Sequence, residues 1–350
     1  MTDRTTPRLL AAVLLGVGLL VLVSFPVPYV IESPGPVFDV LGSSTAGPLI
    51  SISGATVYPT TGVMDLTTVS ERGGPGTRVL LTELVGATLN ATDAVVPQAL
   101  LYPDGASAAQ VTNDNTAAMV QSQDAAAIAA LRHLGIPVTL TVVVGSITAG
   151  SPADGHLQTG DTIVSVDGAV ITSADQVRTA VTAHKPGEQV TFVVDRAGKS
   201  QTVVLTTAAS TDSGPARAVV GFAPAVGYTS PVKVTIQLDD VGGPSAGLMF
   251  TLGIIDKLTP GQETGGLHIA GTGTMDEKGK VGPIGGIRQK MAAARAAGAV
   301  IFLVPASNCA EALGQVPQGL RLVKVTTVDD ALSGLTAAAT GQGTAPSCSH

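Results

Sequence analysis

The chain has 350 residues, of which 45 % are hydrophobic and 13 % charged, with a formal net charge of −7 and no tryptophan. That apolar content excludes wholesale disorder, and an acidic chain without clustered Lys and Arg excludes a nucleic-acid surface. Cys309 and Cys348 are the only cysteines and no HExxH occurs, so a disulfide scaffold, a cysteine-built zinc site and a zinc peptidase are excluded, and no metal or cofactor is expected.

In chain order, Arg4 and Arg8 precede Leu9–Phe25, a run of 17 residues without a charge. Positive flanks stay in the cytoplasm. The expectation is a cytoplasmic 1–8, a transmembrane anchor over 9–31, and the bulk of the chain outside the cell membrane. A cleaved signal peptide is the rival, but Pro26 and Pro28 follow the apolar run instead of a small-x-small site. Glu32–Pro36 reads as an extended exit from the bilayer. Leu49–Val69 alternates in strand-like pieces, 70–79 is a loop, and Ala117–Leu134 is a helix stopped by Gly135 and Pro137. Val138–Ile147 is β-branched, Ser173–Ala183 is an amphipathic helix, and 190–195 with 202–206 form a hairpin turning at Ala197-Gly198. The small polar 207–216 stretch marks a module boundary. Val232–Leu238 alternates as a half-buried strand. A helix follows Gly242-Gly243-Pro244-Ser245, then a strand over 267–274, the helix Ile287–Ala297 and a buried strand over 300–304. Residues 339–350 read as a disordered tail.

The chemistry gathers in the last third. Ser245 follows Gly-Gly-Pro at a helix start. Proline has no N–H to lose there, glycines allow a sharp bend, and free N–H groups can hold an oxyanion. A plain N-cap serine fits the same position. A nucleophilic serine needs a base. Of five histidines His350 is in the tail and only His268 otherwise falls in this last third, inside a strand, and no GxSxG or GNSGG motif occurs. Lys290 lies on a helix of small and apolar residues, where burial would favour its neutral amine. A solvated helix lysine is the alternative.

In order, GGPSAG (242–247), TGT (272–274) and GKVGPIGGIRQK (279–290) resemble the proteolytic domain of Lon-type serine peptidases. The resemblance implies an α+β protease domain in which Ser245 is the nucleophile and Lys290 its partner. It implies support from Thr272 and from the backbone near Gly243 and Ala246. The family's acidic residue three before the serine is here Gly242, with Asp239 and Asp240 just upstream. GSITAGSPADGHLQTGDTIVSVDGAVITSADQVRTAV, within 136–207, resembles a mainly-β PDZ domain of bacterial envelope proteases. Its insertion splits the protease into 32–135 and 217–338, joined through a 208–216 linker. The implied peptide groove uses Leu134, Gly135 and Ile136 as the carboxylate loop, with Val177 and Val181 on the groove helix.

These resemblances point to the membrane-anchored, PDZ-containing Lon-like proteases of bacteria, with protein or peptide substrates, a lipid bilayer as the other partner, and hexameric rings as the family's habit. No G-x-x-x-x-G-K-[ST] occurs, so cleavage without ATP is expected. Two alternatives stand beside this reading. One is a catalytically inactive PDZ adaptor at the envelope. The other is a trypsin-fold protease with a trailing PDZ, which the order of PDZ before serine disfavours.

Overall fold

The computed structural model describes residues 13–16, 24–44, 47–103, 105–210, 215–238, 241–261, 263–341 and 343–348. The first part of the main body comprises β1 (Tyr29–Asp39), β2 (Ile50–Ser53), β3 (Val63–Arg72), α1 (Leu81–Leu89), β4 (Ala94–Pro97) and α2 (Ala108–His133). A second unit follows: β5 (Thr139–Ile147), β6 (Thr162–Val166), α3 (Ala174–Thr182), β7 (Gln189–Arg196), β8 (Lys199–Thr206) and β9 (Phe222–Thr229). The chain then returns to the main body with β10 (Lys233–Ile236), α4 (Gly247–Leu258), β11 (His268–Gly271), α5 (Ile287–Ala297), β12 (Ile301–Pro305), β13 (Arg321–Val325) and α6 (Val328–Thr340).

The main sheet runs β13-β12-β11-β3-β1-β4. β3, β11, β12 and β13 are parallel, and β1 lies antiparallel between β3 and β4. Successive side chains of a strand point to opposite faces, and both faces here are covered. Ile269, Ile301 and Leu303 join the core formed with α2 and α4. Their neighbours Ala270, Phe302 and Val304 pack with Ile287 and Met291 of α5 on the other side. Residues Gly247–Lys257 of α4 are all buried, so this helix runs through the core and not along its surface.

α2 begins nine residues before the apolar run that marks it in the sequence. Ser107 opens it with a reciprocal capping box to Gln110. At the other end Gly135 takes φ +70°. The Gly135 N–H donates to the Arg132 carbonyl and the Ile136 N–H to the Leu131 carbonyl. Those two bonds are a Schellman closure.

Three expectations change. Residues 26–31 belong to the protein body and not to an anchor. Pro26–Val27 pairs with Val79–Leu80, and Val30 and Ile31 are fully buried in β1. Glu32–Pro36 is likewise sheet. Residues 1–8 and most of 9–25 lie outside the described residues, and among the described residues no helix is long and apolar enough to cross a membrane. Second, the inserted unit does not end at 207. β9 pairs with β5 along its whole length, Val220 sits in the inserted core and Phe222 meets Phe192 edge to face, so the unit continues past the small polar stretch, where Ala208–Ala209 pairs with Ala218–Val219. Third, the tail is anchored. The Pro346 carbonyl accepts from the Lys324 N–H at 2.8 Å, and Cys348 is disulfide-bonded to Cys309.

Candidate active site

Ser245 sits just ahead of α4, in a turn that starts at Gly243 with φ +85°, a conformation glycine adopts without strain. Two groups on α2, seven residues and so two turns apart, hold this turn. The Asn115 carbonyl accepts from the Gly243 N–H at 3.0 Å, and the Ser122 hydroxyl donates to the Pro244 carbonyl at 2.9 Å. Gly247 completes the seat. A Cβ there would stand 2.8 Å from Met275 Cβ and 2.9 Å from the Met275 backbone nitrogen.

Lys290 reaches the serine from the opposite face of the sheet, on the first turn of α5. Its Nζ lies 2.8 Å from Ser245 Oγ and 3.2 Å from Thr272 Oγ1. Thr272 in turn donates to the Ser245 carbonyl at 3.0 Å, and the Gly273 N–H donates to the same carbonyl at 2.9 Å. Lys290 is 2 % exposed, and burial pushes its pKa down to about 8 against the opposing pull of Glu32. An amine poised there is a competent general base near neutral pH. Thus Ser245, Lys290 and Thr272 converge on one point.

The other named residues divide. The Gly243 N–H is spent on Asn115, so Gly243 shapes the turn and is not an oxyanion donor. Among the described residues, the Ser245 and Ala246 N–H groups have no protein acceptor and stand at the positive end of α4. Asp239 and Asp240 lie outside the described residues. His268 Nε2 is 2.6 Å from Asp65 Oδ2, and Ser245 is not among its partners.

A cleft of about 490 Å³ contains the pair, lined by Thr67, Glu71, Gly242 and Ser245 among others. Glu32 lies directly across the β1–β3 ladder from Glu71 and shares the cleft. Burial, then the neighbouring charges of Glu71 and Glu311, raise the Glu32 carboxyl above its usual range. Glu32, Glu71, Asn115 and Ser122 are additional to the residues expected from the sequence: Glu32 falls in the expected membrane exit, and Asn115 and Ser122 act through the fold and carry no motif.

In the inserted unit, Val177 and Val181 of α3 line a groove of about 470 Å³. The facing wall is the Val220-Gly221-Phe222 turn and the start of β9, an edge strand of its sheet. Leu134, Gly135 and Ile136 are not there; they are the C-terminal closure of α2. The apolar-Gly-apolar pattern of a carboxylate loop is also the pattern of a Schellman closure with its apolar contact. The second copy of the pattern, at 220–222, was the signal available.

Residues 238–337 match the family described as Lon protease (S16) C-terminal proteolytic domain, and residues 110–207 match that described as PDZ domain. The second match reaches upstream into α2, which packs on the main body. The Lon protease of Azospirillum brasilense is 37 % identical over 97 residues, covering 26 % of this chain and 11 % of its own length. That of Roseiflexus castenholzii is 36 % identical over 94 residues, with coverage of 26 % and 11 %. The chain therefore spans about a tenth of the curated relatives it matches. Among solved structures, the PDZ domain of the SdrC-like protein from Listeria monocytogenes is 23 % identical, covering 24 % of this chain and 86 % of that one, at a TM-score of 0.22. The chain carries a serine-peptidase domain of the Lon type. Joined to it in the same chain is a PDZ domain.

Proposed function

We propose that the protein is an ATP-independent serine endopeptidase working through a Ser245/Lys290 dyad. The observation that carries this is the 2.8 Å approach of a buried lysine amine to the Ser245 hydroxyl. Neutral Lys290 takes the Ser245 proton as Oγ bonds to the scissile carbonyl carbon. The developing oxyanion lies against the Ser245 and Ala246 N–H groups. As the C–N bond breaks, the lysine proton passes to the leaving amine. Water then hydrolyses the acyl-serine, with the same amine as base, and releases the new carboxylate. Thr272 holds Nζ toward the serine in both halves.

The substrates are unfolded or flexible chains, recruited through the PDZ groove by a free C-terminus. Two lines support an extracytoplasmic, membrane-anchored location: Arg4 and Arg8 before an uncharged apolar run, and the Cys309–Cys348 disulfide, which persists in oxidising compartments. Hexamer formation belongs to the same reading, on resemblance.

The test incubates the full chain in detergent with a reduced, carboxymethylated protein and no ATP, beside Ser245→Ala and Lys290→Ala. Cleavage by the parent alone supports the dyad. A folded parent that neither cleaves nor takes a fluorophosphonate label at Ser245 would leave the adaptor reading.

A further inference from the structure

The groove between α3 and β9 does not stop within the inserted unit. A smaller cavity, about 200 Å³, continues it along β9, and Pro224 lines both. α3 supplies Val177 and Val181 to the groove and Ala174, its first residue, to the continuation. The facing wall of the continuation comes from the peptidase body. Gln121, Ala125 and Ile128 form one stripe of α2, and Glu277 joins them. Arg132 of α2 ties the Glu277 segment to the helix by donating to the Glu277 carbonyl at 2.8 Å. The PDZ groove therefore ends against a helix of the other domain.

The open edge of β9 sets how a peptide lies there. A C-terminal carboxylate held at the Gly221 turn, where β9 begins, makes the preceding residues run antiparallel to β9, toward Val226. Successive residues of a strand alternate faces. With the last residue opposite Phe222 and aimed at Val177 and Val181, every second residue upstream points the same way. The second of these comes opposite Val226, at the α2 wall. Pro224 lies between. The N–H and carbonyl of Val144, its cross-strand partner, are both engaged elsewhere, with the Asp161 carbonyl and the Gly160 N–H, so the Pro224 nitrogen faces the open edge. Proline has no N–H, and a peptide paired to β9 loses one ladder bond there. Beyond that gap its hold falls to side-chain contacts, and the seam between the domains is where they are made.

We propose that this seam is a specificity subsite for the peptide in the PDZ groove, taking an apolar side chain about four residues before the C-terminus. The inference rests on the reading of the groove as a site for peptides with a free C-terminus. The occupant is the same peptide, because the two cavities are continuous along one strand edge. Ala125, Ile128, Ala174 and Val226 give the seam a mainly apolar lining, and the two alanines leave room that a branched aliphatic side chain fills. The subsite is incomplete without α2, so recognition is read by both domains at once.

The experiment measures fluorescence anisotropy with the full chain in detergent. The probes are fluorescein-labelled ten-residue Gly-Ser peptides ending in valine with a free carboxylate, with leucine placed singly from the third to the seventh position counted from the end. The variants are Ala125→Leu, which fills the seam from α2 with a good helix former, and Gln121→Trp, which narrows it from an exposed position. In the parent, leucine at or next to the fifth position should tighten Kd by about tenfold over the peptide without leucine. Both variants should lose that gain, bind the leucine-free peptide as the parent does, and keep fluorophosphonate labelling of Ser245. No favoured position in the parent, or a gain that survives in both variants, would overturn the subsite and leave the groove standing. Equal loss of all the peptides in both variants would overturn it too, since the seam would then act only by holding the PDZ unit in shape. Equal binding of the leucine-free acid and its C-terminal amide by the parent would overturn the groove reading and the subsite with it.

Discussion

The Asn308 side chain grips the backbone of Ile284 at both ends: Oδ1 accepts from the Ile284 N–H at 3.1 Å and Nδ2 donates to its carbonyl at 2.9 Å. Ile284 lies just before the Gly285-Gly286 turn that starts α5, and the Lys290 N–H closes onto the Gly286 carbonyl at 3.0 Å. Asn308 therefore fixes the entry of the helix that carries the Lys290 amine to Ser245. In the proposed dyad it is a positioning residue, acting through the backbone between Ile284 and Lys290.

Asn308→Ala should lower kcat by about tenfold with KM nearly unchanged, since a small displacement of Nζ costs alignment and not substrate contacts. Asn308→Asp keeps the acceptor, loses the donor, and should fall between parent and Ala. A fall in KM-dependent terms alone, with kcat intact, would remove Asn308 from the catalytic geometry.

Activity should climb with pH through about 8, where Lys290 loses its proton, because the proposed dyad uses the neutral amine as its base. The stability consequence has a definite sign. Burial lowers the folded pKa from its ordinary 10.5 to about 8, so between those values the unfolded chain binds more protons than the folded one. Stability attributable to this group rises with pH across that window. Lys290→Met should abolish cleavage, lose that rise, and unfold at a higher temperature than the parent at pH 7. Calorimetry at several pH values reads this directly, and parallel pH curves for parent and Lys290→Met would contradict it.

Reduction of Cys309–Cys348 should destabilise the protease body. The bond closes a separation of 39 residues, and chain entropy puts the contribution at about 4 kcal/mol. Cys309 and Cys348 sit in the same cluster as Ile287 and Met291 of α5. Cys348→Ser should therefore lower the unfolding midpoint in denaturant, with cleavage at ambient temperature less affected than stability. An unchanged midpoint would mean that the tail is held by its other contacts.

The PDZ groove should bind a peptide with a free carboxylate and an apolar last residue, because Val177, Val181 and Phe222 line it beside the Gly221 turn. Fluorescence anisotropy with the acid and the C-terminal amide of one peptide makes the comparison. The amide should bind at least about tenfold more weakly. Equal binding would place recognition elsewhere.

Much of the main body was legible because local patterns and fold agreed. The alternation at 232–238 appears in the burial of Val232, Val234 and Ile236 against exposed Lys233 and Thr235. α5 occupies Ile287–Ala297 as its small residues and the Gly298 cap suggest. Ser245 and Lys290 were legible through three ordered motifs, and no single residue would have sufficed. What stayed hidden was set by long-range pairing. Val30 and Ile31 are as apolar as a membrane segment and are buried in a sheet instead. The 207–216 stretch has linker composition, yet β9 beyond it completes the inserted sheet. The tail reads as disordered until Cys309 captures it.

The register of the inserted sheet has one more consequence. Thr139, where the insertion enters, and Thr229, where it leaves, are cross-strand partners. The chain thus enters and leaves the PDZ unit through two strand ends that stand side by side, and α2 around Ile128 packs against β9 and the start of α3 beside them. Such a module behaves as a cartridge with one covered flank: a different recognition domain with adjacent ends could be fitted in its place where it also covers that face of α2. Targeting and cutting are then separable properties of one chain.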